Sequence, residues 1–271
     1  MSSDRLAALA DDLLAAHRDA RCLPLPTGRA EELNMADAYA VADLIRSRRI
    51  AGGEVPRGYK IGFTNRGIWR RYGVHAPIWA PVWDTTLTLL PGTETTLSLA
   101  GLVQPRLEPE IVFGFAQAPR PGMALAELAA CIDWVAHGFE IVHTHFDGWK
   151  FQAADTVVDF ALHGRLRVGP RVPAAQFNDM AAELAGIRLQ LACDGAEVDA
   201  GRGSAVLDGP LQALKVWVDA MAAQRQQWPI RVGDVVTTGT LTDAWPLVAG
   251  QSWTTRLSDT RLAGLVLRAQ V

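Results

Sequence analysis

Two glutamates two residues apart form the sharpest chemical signal in this sequence, in Pro105-Arg106-Leu107-Glu108-Pro109-Glu110-Ile111-Val112-Phe113. In extended backbone, residues i and i+2 project from the same face, so Glu108 and Glu110 are expected to point together. Two anions held close in a partly desolvated site repel by several kcal/mol, from roughly 332/(εr) with an effective ε of about 20. A cation between them removes the repulsion. On these residues alone, a solvated sheet face or a pairing with Arg106 is the stronger reading. Glu140 shifts the balance, because it too is a charge inside an apolar β-like run, His137-Gly138-Phe139-Glu140-Ile141-Val142. An all-carboxylate set without His or Cys suits a hard ion, Mg²⁺ or Mn²⁺, with water or substrate oxygens completing the shell.

Other residues could serve such a centre. Lys60 in Gly58-Tyr59-Lys60-Ile61-Gly62 and Lys150 in Gly148-Trp149-Lys150-Phe151 are cations flanked by aromatic or apolar residues. Each is equally well read as a surface lysine on a strand; near an enolate, either could bind a carboxylate or deliver a proton. Gly233 to Thr240 reads as turn, strand and second turn, and its hydroxyls and N–H groups, Thr240 included, could grip a carboxylate. His143 and His145 alternate as His-x-His, but no acidic ligand follows at short spacing, so lining a pocket is a better reading for them than ligating metal. Trp79, with Trp69, Trp83 and Trp149, lies near these segments and could line the site. There is no Gly-x-Ser-x-Gly elbow, Walker loop, Gly-x-Gly-x-x-Gly or Cys-x-x-Cys.

The elements that must position these residues fall into two regions. Leu6, Leu9, Leu13 and Leu14 recur at helical spacing over residues 3–17, with Ser3 placed to cap the first turn. A Pro- and Gly-containing loop follows, then a second helix from Met35 to Ile50 with Tyr39, Ala42 and Ile45 on one face and Gly52-Gly53 as its stop. After Gly58 the pattern changes to short β-rich runs: Tyr59 to Phe63, Leu87 to Leu90, Ile111 to Phe115, Ile187 to Leu191 and Val235 to Thr238. Helical patterns interrupt them at Leu125 to Val135 and Leu211 to Ala223. Strands without regular helical alternation predict an α+β fold with a mixed or mostly antiparallel sheet, divided into a helical region over 1–55 and a β-rich catalytic domain over 56–271.

Of the 271 residues, 49% are hydrophobic and 20% charged, enough apolar material for a sizeable core. A net charge of -3 gives no electrostatic reason to expect nucleic acid or an anionic membrane as partner. No segment has the uninterrupted apolar length of a signal peptide or a membrane span, and the three cysteines, far apart, suit reduced thiols. A cytoplasmic protein with a small-molecule ligand is expected.

From about Met35 to the C-terminus the sequence resembles the 2-keto-4-pentenoate hydratase and 4-oxalocrotonate decarboxylase group of the fumarylacetoacetate hydrolase superfamily. The resemblance rests on Tyr59-Lys60-Ile61-Gly62-Phe63-Thr64, on Pro105 to Ile111, on Phe139-Glu140-Ile141-Val142, on Trp149-Lys150 with Asp155-Thr156-Val157-Val158-Asp159, and on Gly233-Asp234 with Thr238-Gly239-Thr240. It implies a small helical N-terminal region and a β-rich mixed-sheet roll. It also implies Mg²⁺ or Mn²⁺ on Glu108, Glu110 and Glu140, with Lys60 as a site lysine. A homo-oligomer acting on a small 2-oxo acid in aromatic catabolism would follow. Where hydratases of the group carry a Pro-Asp-Phe-Gly-like segment, this chain reads Pro77-Ile78-Trp79-Ala80, which weakens hydration by the usual base; Asp84 is close enough along the chain for a shifted loop to supply a carboxylate. The decarboxylase branch has an apolar residue and an aromatic there, and a Lys-Phe pair like Lys150-Phe151. Two rivals remain at this stage: an acylpyruvate C–C hydrolase using His137, His143 or His145 to activate water, and a small-acid binding protein without turnover.

Overall fold

The structure, a computed structural model, describes residues 1–28, 33–72, 74–224 and 228–271. Its helices are α1 (Ser3–Asp19), α2 (Met35–Ala51), α3 (Trp69–Tyr72), α4 (Leu125–Ala129), α5 (Ala153–Val158), α6 (Met180–Gly186) and α7 (Pro210–Ala222). Its strands are β1 (Pro56–Gly62), β2 (Ile78–Trp83), β3 (Leu87–Leu89), β4 (Glu94–Ser98), β5 (Arg106–Phe115), β6 (Ile132–Val142) and β7 (His163–Val168), followed by β8 (Val172–Pro173), β9 (Arg188–Cys193), β10 (Ala196–Arg202), β11 (Val235–Thr240), β12 (Trp245–Pro246), β13 (Ser252–Leu257) and β14 (Val266–Gln270).

Helix α1 forms where the leucine spacing places it and buries Leu9, Ala10, Leu13 and Ala16. Ser3 is its first helical residue rather than its cap; Ser2 holds the cap position and makes no side-chain cap bond. In α2, the Asn34 side chain accepts a hydrogen bond from Asp37 N at 2.9 Å and satisfies one orphan amide, and Gly52 ends the helix. The helix expected over Leu125 to Val135 stops at Ala129, because Ile132 to Val135 begins β6. There Phe113 pairs with Val135 and Phe115 with Ile132, and this long-range pairing outweighs the local helical spacing.

The larger sheet runs β2-β1-β11-β5-β6-β7-β3, with β12 also on β5 and β8 also on β6. The second runs β10-β9-β13-β14-β4. Both are mixed: β1 with β11, β3 with β7 and β14 with β4 are parallel, and the other pairs are antiparallel. The long strands β5 and β6 occupy the middle of the larger sheet, and nearly all their residues are buried. With helices segregated from curled mixed sheets, the α+β class read from the sequence describes the fold.

One apolar core joins α1 and α2, through Leu9, Leu13, Tyr39 and Ile45, to Ile61, Phe113, Phe139 and Trp217 of the β-rich part. Among the described residues no helix is long and apolar enough to cross a membrane. Because Leu13 is fully buried in this shared core, Leu13→Ala should cost about 2–5 kcal/mol in chemical denaturation, in one transition that both far-UV and tryptophan signals follow. An early separate loss of helical signal would show that α1 unfolds independently.

Candidate metal centre and substrate cavity

The strand register assembles the acidic group. On β5 and β6, Glu108 lies directly opposite Glu140, and Glu110 opposite Gly138. Cross-strand partners share a face, as do residues i and i+2, so this register alone puts all three glutamates on one side of the sheet. One carboxylate oxygen from each lies within 4.8 Å of the others. Glu110 and Glu140 are fully buried, and Glu108 is half-buried at the edge of a cavity.

Neighbouring strands hold these side chains. The Thr237 hydroxyl donates to Glu110 Oε2, and Gly239 N donates to the same oxygen at 2.7 Å. The register of β11 against β5 shifts between Thr237 and Thr240, which turns the Gly239 amide inward. Gly239 has φ +106°, and a Cβ there would lie 1.8 Å from Thr64 Oγ1, so only glycine fits. From β7, His163 Nδ1 is 2.8 Å from Glu140 Oε1, while its Nε2 is 2.9 Å from Thr86 Oγ1. Lys60, 3% exposed on β1, places Nζ 3.4 Å from Glu140 Oε2.

Two buried carboxylates and the half-buried Glu108 face one lysine. Burial, reinforced by Glu140 and Glu108, pushes Glu110 well above the ordinary carboxylate range. Burial also raises Glu108, against the pull of Lys60, to about 7. Burial opposes the charge on Glu140 as well, but Lys60 and the His163 hydrogen bond overcome it and hold that carboxyl below its usual value. Burial likewise opposes the Lys60 charge, and the three glutamates outweigh it and raise its pKa. Glu110 Oε1 is buried without a hydrogen bond, and Glu140 Oε2 has the Lys60 ion pair but no hydrogen bond. An orphan Glu110 oxygen in an all-carboxylate donor set is what a divalent cation would satisfy, so the residues fit Mg²⁺ or Mn²⁺.

The adjoining cavity, about 350 Å³, suits a small molecule. Lys60, Glu108 and Thr240 line it, as do Arg106, Phe63, Ile78, Phe151 and Leu162. The Arg106 guanidinium stacks 4.2 Å from the Trp149 ring centroid. Phe160, Ala161 and Leu162 form a run of left-handed backbone (φ 57°, 46° and 67°) that builds one wall. Such strain of about 1–3 kcal/mol per residue persists only when neighbours fix it. Here Leu162 N bonds to Asp159 O at 2.7 Å, and the Asp159 carboxylate is itself held by Thr144, by His145 N and by the His145 ring.

Four residues singled out in the sequence lie elsewhere. Lys150 is exposed and outside the cavity lining. Asp84 is exposed in the turn after β2, where it accepts hydrogen bonds from Val55 N and Thr85 N at 3.0 Å. Trp79 is 2% exposed and packs in the core on Tyr39, 4.6 Å between ring centroids. His143 follows β6 and groups with His17 and His145. Closeness along the chain misplaced them, because alternation on β2 sends Ile78 to the cavity and Trp79 to the opposite side. His137 also stays inside the sheet, on Glu110 O and Thr255 Oγ1, so none of the three histidines that a hydrolase would use reaches the cavity. Sequence reasoning missed Arg106 as a lining residue, although it sits two residues before Glu108 on the same strand face. It also missed His163, which carries no local signal, whereas Thr237 lies in the Gly233 to Thr240 segment whose hydroxyls the sequence singled out.

The chain is 32% identical over 240 residues to 2-hydroxyhexa-2,4-dienoate hydratase of Comamonas testosteroni, covering 88% of each chain. The chain belongs to the 2-keto-4-pentenoate hydratase and 4-oxalocrotonate decarboxylase family of the fumarylacetoacetate hydrolase superfamily. It is also 28% identical over 258 residues to 4-oxalocrotonate decarboxylase of Pseudomonas sp. strain CF600, covering 94% of each. The solved 4-oxalocrotonate decarboxylase of Pseudomonas putida G7, complexed with magnesium and adipate, matches with a TM-score of 0.90 at 25% identity, over 99% of this chain and 98% of that one. No protein-family model matches the sequence.

The raised carboxyls have a consequence for this family member's stability. A group whose folded pKa is raised contributes stability that is present below its unfolded pKa and lost as pH rises through the folded value. For Glu108 that window runs from the ordinary 4.5 to about 7, and Glu110 extends it upward. Chelator-treated protein should therefore lose Tm as pH rises across this window, and saturating Mg²⁺ should restore progressively more at higher pH. A Mg²⁺ effect on Tm that is flat from pH 5 to pH 8 would contradict the assignment.

Proposed function

We propose that this protein is a divalent-metal-dependent lyase that carries a small 2-oxo acid through an enolate or dienolate, and that it decarboxylates a vinylogous 2-oxo diacid in the breakdown of aromatic compounds. The convergence of Glu108, Glu110, Glu140 and Lys60 on one cavity carries this reading. Bound Mg²⁺ or Mn²⁺, held by the three glutamates, supplies the positive charge that stabilises electron density released onto the 2-oxygen.

The chain's own groups supply the rest. Lys60 Nζ is the buried cation that draws in the substrate carboxylate, and it can hand a proton to the dienolate carbon. Thr240 and the adjoining turn offer hydroxyl and amide donors to the same carboxylate. Phe63, Ile78, Phe151 and Leu162 form an apolar wall that limits water around the reacting carbons. Arg106, braced on Trp149, offers a positive group for a second carboxylate. Loss of CO₂ breaks one C–C bond, its electron pair passes into the conjugated 2-oxo system, and no base for water is needed.

Ile78 in the wall favours decarboxylation. Apart from Glu108, the one carboxylate among the described lining residues is the exposed Asp243. Hydration of a dienoate is the second reading, supported by the 32% identity to a hydratase. A homo-oligomeric state and a cytoplasmic location belong to the same proposal and rest on the resemblance.

The test assays a 2-hydroxydienoate, its vinylogous dicarboxylate analogue and an acylpyruvate with and without chelator. The expected outcome is CO₂ release from the dicarboxylate, abolished by chelator and reduced at least about 100-fold in Glu108→Gln. Water addition to the dienoate as the dominant reaction would select the hydratase reading. Ligand-induced thermal stabilisation without any turnover would select a binding protein instead.

A further inference from the structure

A second group of metal-ligating side chains lies outside the acidic cavity, where α1 packs against the end of β6. His17 of α1 meets His143 and His145, with ring centroids 5.5 Å, 5.7 Å and, between the last two, 4.9 Å apart. One ring nitrogen from each lies within 4.8 Å of the others. His143 and His145 are 1% and 0% exposed, and His17 Nδ1, His143 Nε2 and His145 Nε2 are all buried without a hydrogen-bond partner. Orphan buried nitrogens are uncommon in native proteins, and three that converge point to something that satisfies them together.

For His17 and His143 a proton does not do so. Burial first, then Arg49, His145 and Arg165, lower His17 to about 3. Burial and the neighbouring His145, His17 and Arg165 lower His143 well below its ordinary value. Both rings are therefore neutral at physiological pH. Asp159 Oδ1 sits 2.6 Å from His145 Nδ1, which orients the ring and leaves Nε2 as its unpartnered nitrogen. That carboxylate–histidine arrangement orients imidazoles that bind metals. His143 receives the Val103 N–H on Nδ1 at 3.2 Å, so ligation through its Nε2 requires the ring proton to move to Nδ1 and that long contact to open.

We propose that His17, His143 and His145 form a second metal site, for a first-row transition dication of the Zn²⁺ class, which fastens α1 to the β-rich region. An all-imidazole donor set selects such an ion over Mg²⁺, which the carboxylate triad prefers. Tetrahedral Zn–N bonds of about 2.0–2.1 Å bring ligand nitrogens to roughly 3.4 Å, so the three rings close inward on binding. A cleft lined by Leu14, His17, Arg48, Arg49, Glu54 and Arg165 reaches His17 and offers an entry path. Glu54 pairs with Arg49 at 2.6 Å and moderates the positive charge beside that path. This site is independent of the function proposed for the acidic cavity.

The test uses the full chain in millimolar Mg²⁺, titrated with Zn²⁺ by calorimetry and with Co²⁺ by visible absorption. The expected result is a single tight equivalent of Zn²⁺, a rise in Tm, and a Co²⁺ spectrum of a four-coordinate nitrogen site. His17→Gln, which keeps side-chain bulk on α1, should weaken Zn²⁺ binding at least about 100-fold and remove the rise in Tm, whereas Glu108→Gln should leave both. Absence of stoichiometric Zn²⁺ binding, binding indifferent to His17→Gln, or binding lost in Glu108→Gln overturns the proposal. If far-UV circular dichroism shows that His17→Gln is misfolded, the wild-type Co²⁺ spectrum decides, its four-coordinate band supporting the site and its absence refuting it.

Discussion

The direct pairing of Glu108 with Glu140 across two central strands is the constraint on which the site depends. It forces like charges together between two largely buried strands, with Glu110 beside them on the same face. Lys60 provides one compensating charge, and the His163, Thr237 and Gly239 donors occupy part of the remaining lone-pair capacity. The compensation is incomplete, as the buried Glu110 Oε1 without a hydrogen bond shows. The hydrophobic packing of β5 and β6 fixes the register that holds this unfavourable arrangement, and a dication bound there would change the sign of the local field.

The surroundings follow from the same constraint. Thr237 and Gly239 can reach Glu110 only because β11 lies next to β5 and slips in register at that point. Lys60 reaches the carboxylates because β1 lies parallel to β11 one strand further out. The left-handed run at 160–162 completes the cavity, and the Asp159 network that holds it also orients His145 on the other side. A single aspartate thus links the wall of the substrate cavity to the histidine group beneath α1.

Much of this was legible in the sequence where the signal was local. The i, i+2 spacing placed Glu108 and Glu110 on one face, and charges inside apolar runs marked Glu140 and Lys60. The alternation of sheet pairing was not legible, since the register of two strands separated by a helix is decided by packing across the whole sheet. For that reason Trp79 and Asp84 were expected beside the site on the strength of their neighbours, whereas the strand turns Trp79 into the core and the following turn leaves Asp84 in solvent. Lys150 failed differently, because the backbone turns at Gly148 and Trp149 carry it outward. His17 could not be joined to His143 and His145 from the sequence, because more than a hundred residues separate them and only the docking of α1 brings them together.

The most direct test of the account is a crystal structure of the protein soaked with Mn²⁺, with the ion located by its anomalous scattering. The account predicts one strong peak in the acidic group, with an oxygen from each of Glu108, Glu110 and Glu140 at a coordination distance of about 2.1 Å. A well-occupied Mn²⁺ bound away from these side chains, or none at millimolar concentration while the glutamates keep their register, would contradict it.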